Sequence, residues 1–288
     1  MATPRISFEF FPPQSLEASF RLWDTVQVLA SLNPNFVSVT YGAGGTTRDL
    51  THDAVTTIQN NYGLKVAAHL TCINSTRDEI LAIADKYAKA GVTDIVALRG
   101  DAPKGADGFK PVKGGFTSSV ELVETLAETG KFNIRVGAYP EPHPESADTA
   151  ADVEWLKRKI DAGASSAITQ FFFEAETFFR FRDACEKAGI DAPIIPGIMP
   201  ITSWTGIKKF AAGCGASIPA WLDGAYTKAI RDGRTDLLST AVCTELCSDL
   251  IDGGVEDLHF YTLNRPALTR DICHALGVTP AVSLENVA

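Results

Sequence analysis

Glu9 stands in the run Ile6-Ser7-Phe8-Glu9-Phe10-Phe11, a lone carboxyl among aromatic and β-branched residues. A carboxylate in such surroundings is costly to ionise, so its pKa should rise, which suits a general acid. A core carboxylate paired with an Arg or Lys from elsewhere is the other reading. Arg99-Gly100-Asp101 follows the apolar run Ile95–Leu98. The glycine lets backbone approach a ligand closely, and the two charges could bind an anion and tune an electron-poor ring; a turn with a surface ion pair reads the same way. Gly42-Ala43-Gly44-Gly45-Thr46-Thr47 precedes a helix-like stretch and could cradle phosphate, although such loops are common turns. Lys157-Arg158-Lys159 is the densest basic cluster, either a solvated helix face or an anion site. His69 and His143 are equally open to structural and functional readings, whereas His52, His259 and His274 read as structural. Cys72, Cys185, Cys214, Cys243, Cys247 and Cys273 read as buried, reduced thiols. Cys243 and Cys247, four apart on a helix-like stretch, could share a face that holds a metal, but the buried-thiol reading is the better one, and no paired two-residue spacing suggests zinc.

These residues need a frame, and the sequence supplies a repeating one. Short apolar, β-branched runs at Ile6–Phe10, Phe36–Val39, Val66–Leu70, Asp94–Leu98, Ile134–Ala138, Ala167–Phe171, Ile194–Ile198 and Leu258–Thr262 alternate with amphipathic stretches. Leu16, Phe20, Trp23, Val26 and Leu29, for example, recur at helical spacing. Strands apolar on both faces and alternating with helices imply a parallel sheet covered by helices. Eight such units in a chain of 288 residues predict an α/β fold, a TIM (β/α)8 barrel. The long interval before the last strand predicts extra helices around Ile218–Lys228 and Leu237–Ile251. No Gly-x-Gly-x-x-Gly follows a strand, which argues against a Rossmann site. Residues 1–288 read as one catalytic barrel domain.

Barrel chemistry belongs at the C-terminal strand ends. There the sequence places Glu9, Thr40-Tyr41, His69, Arg99-Gly100-Asp101, Tyr139 with His143 and Glu145, Gln170, and Leu263-Asn264-Arg265. Polar and aromatic groups converge on one rim, which favours an enzyme. Composition narrows the ligands: 26 Lys and Arg against 35 Asp and Glu leave a net charge of −9, arguing against nucleic acid or an anionic membrane as partner. With no signal-like segment and no membrane-length apolar run, the expected location is the cytoplasm.

Eight runs at the strand ends carry a resemblance: SFEFFPP (Ser7–Pro13), FVSVTYGAGG (Phe36–Gly45), AHLTC (Ala68–Cys72), ALRGD (Ala97–Asp101), AYPEPHPE (Ala138–Glu145), ITQFFF (Ile168–Phe173), IIPGIMP (Ile194–Pro200) and FYTLNR (Phe260–Arg265). In this order they resemble the bacterial FAD-dependent methylenetetrahydrofolate reductases over nearly the whole chain. The resemblance implies a barrel holding FAD, with NADH or NADPH and the folate taking turns on the flavin, NADH being favoured. It assigns catalysis to Glu9, as general acid toward the bridging amine of methylenetetrahydrofolate, and to Asp101, whose charge tunes the flavin and which can hold the pterin. The implied FAD shell is Thr40, Tyr41, His69, Leu98, Arg99, Gly100, Asp101, Tyr139, His143, Glu145, Asp152, Arg158 and Lys159, the last two facing the pyrophosphate. Glu9, Asp101, Gln170, Phe210, Leu263 and Arg265 are the implied substrate contacts. Phe116, Trp155 and Gly206 depart from the pattern, standing where a Tyr, an Asn and a Gln are common. Small-molecule substrates and a homo-oligomer are the implied partners.

Two other readings compete. A barrel lyase or aldolase would need a Schiff-base lysine or a metal cluster at the rim, and neither occurs at a strand end. A non-catalytic folate- or flavin-binding barrel would have little use for Glu9 and Asp101 together.

Overall fold

A computed structural model describes residues 3–42, 47–101 and 108–280. Nine parallel strands form one sheet: β1 (Arg5–Phe10), β2 (Phe36–Val39), β3 (Val66–Thr71), β4 (Asp94–Leu98), β5 (Asn133–Ala138), β6 (Ser166–Thr169), β7 (Ile194–Ile195), β8 (Gly197–Ile198) and β9 (Asp257–Tyr261). Their order is β7-β6-β5-β4-β3-β2-β1-β9-β8. The two ends of that order are consecutive in the chain and separated by Pro196 alone, so the sheet closes into a barrel. The expected seventh strand, Ile194–Ile198, is therefore two: β7 pairs with β6 and β8 with β9. Proline has no N–H to continue a ladder; its carbonyl still accepts from the His259 amide at 3.0 Å. The sixth strand ends at Thr169 rather than Phe171, which frees Gln170 for the rim.

Helices α1 (Leu16–Ala30), α2 (Arg48–Tyr62), α3 (Arg77–Lys89), α4 (Ser119–Glu128), α5 (Thr149–Asp161) and α6 (Ala175–Lys187) alternate with the first strands. Ser15, Ser118 and Asp148 cap three of them by accepting from backbone amides, and Thr76 with Glu79 forms a capping box on α3. Between β8 and β9 lie α7 (Trp204–Cys214), α8 (Ala220–Arg231) and α9 (Thr235–Asp252); α10 (Pro266–Ala275) follows β9. The two expected extra helices are α8 and α9, while α7 is the regular helix of the split strand. No helix among the described residues is long and apolar enough to cross a membrane.

The period-2 alternation of the strands separates two environments. Outward residues such as Phe8, Phe10, Val37, Val39, Leu70 and Phe260 pack against the helices in one large core, each contributing roughly 1.5–3 kcal/mol by burial. Inward, Phe36, Ala67, Val96, Ile168 and Ile195 fill the barrel. The same interior holds Ser7, His69, Asp94, Arg135 and His259, all buried.

Candidate active site

Glu9 is the residue of β1 that pairs in register with Tyr261 of β9 and Ser38 of β2, and its side chain points into the barrel. Burial pushes its carboxyl up to about 8, so it is largely protonated at neutral pH. Its Oε2 lies 3.4 Å from Nε2 of His69. Burial pushes the His69 imidazole down to about 3, so it is neutral. The contact therefore joins a carboxylic acid to a neutral ring, not two ions. Tyr261 completes this corner: its hydroxyl donates to the Thr169 carbonyl at 2.5 Å. Gly197 makes room, since a Cβ there would stand 2.1 Å from the Thr169 oxygen and 2.6 Å from the tyrosine ring.

Across the mouth from β1, a cavity of about 650 Å³ opens over β3 to β6. Tyr41, Leu98, Arg99, Gly100, Asp101, Tyr139, His143, Glu145, Asp152, Lys159 and Gln170 all line it. Gly100 sits at φ +86°, and an added Cβ would come within 2.6 Å of Ile73 Cγ2, so only glycine passes there without strain. Arg99 and Glu145 form an ion pair at 2.6 Å that spans the loops after β4 and β5; Arg99 thereby holds the Glu145 carboxyl below its ordinary range. Asp152 accepts from the His143 amide at 2.9 Å and from the Ser146 hydroxyl, fixing the loop after β5. Tyr139 and His143 meet edge to face at 4.8 Å. Lys159 is buried and donates to the Gly137 carbonyl; burial pushes its ammonium down to about 8, partly offset by Asp152.

The remaining expected residues lie around this core. Thr40 is bound into the barrel, its amide donating to Phe10 at 2.9 Å and its carbonyl accepting from Thr51. His69 faces Glu9 instead of lining the cavity. Arg158 stacks its guanidinium on Trp155 at 4.2 Å; Trp155 lines the cavity, so Arg158 stands one layer behind it. Phe210 is half-exposed on α7, one helical turn from the cavity-lining Gly213 and Cys214. Gly206 is one turn the other way, its amide donating to the Ser203 cap at 3.2 Å. Leu263 is left-handed at φ 51°, and Arg265 reaches Thr202, just before α7, at 3.4 Å. Residues 43–46 of the glycine-rich loop lie outside the described residues.

The structure adds lining residues that the strand-end reading did not single out, notably Phe109, Thr117, Ser118, Ser119 and Cys214. Phe116 is fully buried in the helix-side core under Arg77, 4.6 Å away, and does not face the cavity. The neighbouring hydroxyls take that wall. Their one signal was the Ser118 helix cap. Among the described residues, no three or more His, Cys, Asp and Glu side chains group as metal ligands.

Comparison with known proteins follows the same outline. Residues 1–277 match the family described as methylenetetrahydrofolate reductase. The 5,10-methylenetetrahydrofolate reductases of Salmonella typhimurium and Escherichia coli K12 are each 46% identical over 278 residues, covering 96% of this chain and 92% of theirs. In structure, the chain is similar to an uncharacterized protein from Clostridium thermocellum that binds two copies of 5-methyl-5,6,7,8-tetrahydrofolic acid. The TM-score is 0.59 at 17% identity, over 96% of this chain and 95% of that one, which supports the fold.

Proposed function

The chain belongs to the methylenetetrahydrofolate reductase family, and from that premise we propose that it reduces 5,10-methylenetetrahydrofolate to 5-methyltetrahydrofolate with NADH as donor and FAD as bound cofactor. The observation that carries the reading is Glu9: a nearly buried, protonated carboxyl at the same barrel mouth as a cavity of about 650 Å³ lined by both polar and apolar groups. We read residues 1–288 as one catalytic domain.

The cavity residues fit a flavin dinucleotide. Gly100 lines the cavity with its backbone, the buried Thr71 hydroxyl lacks a partner among the described residues, and Arg99 and Lys159, with Arg158 behind Trp155, oppose a pyrophosphate. The rest of the proposed shell is Thr40, Tyr41, His69, Leu98, Asp101, Tyr139, His143, Glu145 and Asp152. When bound, FAD supplies a ring that takes up and returns a hydride.

The chain's own work is acid chemistry and orientation. Glu9 holds a proton at its carboxyl and delivers it to the bridging amine nitrogen of the folate. The C–N bond of the five-membered ring breaks, its electron pair stays on that nitrogen, and the one-carbon unit becomes an electrophilic iminium. Neutral His69 adds no positive charge that would pull the Glu9 proton off early. Solvent returns a proton to Glu9, so each turnover consumes one proton with one hydride. Gln170 and Asp101 orient the pterin, Phe210 stacks against it, and Leu263 and Arg265 border the same face. NADH and folate use that face alternately, which gives ping-pong kinetics.

The net charge of −9 offers these anionic ligands no general attraction, so Arg99, Arg158, Lys159 and Arg265 supply it locally. The product would serve methionine synthesis. The free, mostly buried cysteines suit a cytoplasmic enzyme, and we expect a homo-oligomer. The test is direct: purified protein is yellow, NADH bleaches it anaerobically, and methylenetetrahydrofolate restores the colour. Colourless protein that releases no flavin on denaturation would overturn the reading.

A further inference from the structure

The turn after β9 holds two consecutive non-glycine residues, Leu263 and Asn264, in the left-handed region, both at φ 51°. Each carries a Cβ where glycine would be relaxed. Strain of this kind persists where the surroundings over-determine it, and it gathers at functional sites. The surroundings here are the end of β1. Asn264 Oδ1 accepts from the Phe11 amide at 3.0 Å, and its Nδ2 donates to the Phe11 carbonyl at 2.9 Å. The Thr262 hydroxyl donates to the Glu9 carbonyl at 2.6 Å and accepts from the Asn264 amide at 3.2 Å. The ladder between β1 and β9 ends at Glu9 and Tyr261. Beyond it, these two side chains replace strand pairing and grip the backbone at Glu9 and two residues past it.

We propose that Asn264 is a positioning residue for Glu9: the left-handed turn aims its amide at Phe11, which fixes the end of β1 and with it the direction of the acid's side chain. The proposal rests on the reading of Glu9 as the acid. Its logic is geometric. A proton donor must meet its acceptor within hydrogen-bond reach, and a carboxyl carried on a loose strand end also admits water. The left-handed backbone is needed because an extended residue would turn the amide away from β1. The flanking Leu263 and Arg265 then border the substrate face as a result of the same turn.

Asn264→Gly tests this, since glycine adopts φ 51° freely and deletes both side-chain bonds. Thr262→Val removes the other grip, together with the hydroxyl's bond to the Asn264 amide, and leaves both Asn264 side-chain bonds to Phe11 in place. Two measurements are made on each. In the flavin-loaded enzyme, we expect re-oxidation by methylenetetrahydrofolate to slow about 10- to 100-fold for Asn264→Gly, a loss typical of a misplaced group, and less for Thr262→Val. Reduction by NADH, which needs no acid, should stay within about twofold. In the flavin-free protein, the infrared band of the protonated carboxyl that Glu9→Gln removes should titrate at lower pH in both variants than in the wild type. An unmoved titration together with unchanged re-oxidation would overturn the proposal. So would equal loss in both half-reactions. Failure of the underlying reading looks different: wild-type enzyme that folate does not re-oxidise, or Glu9→Gln that it re-oxidises normally. The infrared titration would still decide whether Asn264 positions the carboxyl.

Discussion

The two ends of the barrel interior treat buried polar groups differently. At the N-terminal end, Asp94 receives Lys65 and Arg135 at 3.1 Å each, Asn133 at 2.7 Å and Thr93 at 2.8 Å. Arg135 also donates to Ser166 at 2.8 Å and lies over the Phe36 ring at 4.1 Å. From the middle upward, the Ser38 hydroxyl, His69 Nε2 and the Thr71 hydroxyl are buried without a hydrogen-bond partner among the described residues. Buried polar groups in finished structures are normally paired. The lower cluster surrounds the Asp94 carboxylate with donors and serves the fold, leaving Arg135 Nε as its one atom without a partner among the described residues, whereas the upper groups break the rule on the side where barrel enzymes do chemistry.

The largest effect should come from breaking the upper end. Glu9→Gln is expected to lower methylenetetrahydrofolate reduction by about 10²- to 10⁴-fold, the usual worth of a positioned acid, while NADH still reduces the flavin. Its pH behaviour follows from burial. The folded carboxyl holds its proton up to about pH 8 against an ordinary 4.5. Between those values the folded state binds more protons than the unfolded one, so this group makes stability fall as pH rises across that window. Wild-type folate reduction should decline above about pH 8, and Glu9→Gln should flatten the stability profile below it. Calorimetry from pH 5 to 9 would show this; a variant parallel to wild type would deny the burial of the charge.

Breaking the lower end should give the converse. Asp94→Ala leaves Arg135 buried without its counter-charge and should cost about 3–5 kcal/mol in urea unfolding, with turnover per folded, flavin-loaded molecule unchanged. A loss of turnover without a loss of stability would erase the contrast between the ends.

The smallest effect sharpens it. Thr71→Val removes a hydroxyl that has no partner among the described residues, so the stability of the flavin-free protein should shift by less than about 1 kcal/mol. Flavin retention, measured by dialysis, should still weaken severalfold. Destabilisation on the scale of Asp94→Ala would show that the hydroxyl belongs to the fold.

Much of this could be read from the sequence, for identifiable reasons. The alternation of β-branched runs with helical spacing marked the barrel because each unit signals locally. Pro196 was visible in the seventh run, yet a proline in a strand does not say that the two halves will pair with different neighbours. Glu9 stood out because its aromatic surroundings are contiguous in sequence. Arg99, Gly100 and Asp101 stood out because they end a strand. The hydroxyls of Thr117, Ser118 and Ser119 did not, since a helix cap and a cavity wall are written with the same residues. The clamp of Asn264 on Phe11 joins residues from opposite ends of the chain, and no spacing rule reaches that far. The stack of Arg158 on Trp155 likewise depends on side-chain direction, which periodicity leaves open.

The break at Pro196 has a mechanical side. A hoop is as stiff as its thinnest joint, and here the joint is two residues of β7 on one neighbour and two of β8 on the other, against five register pairs between β1 and β9. The joint also anchors α7, which carries Phe210. Thr169 braces the joint, its hydroxyl accepting from the Gly197 amide at 2.9 Å and its carbonyl from the Tyr261 hydroxyl, so the wall beside the proposed folate face hangs on side-chain bonds where the wall that carries Glu9 hangs on a full ladder.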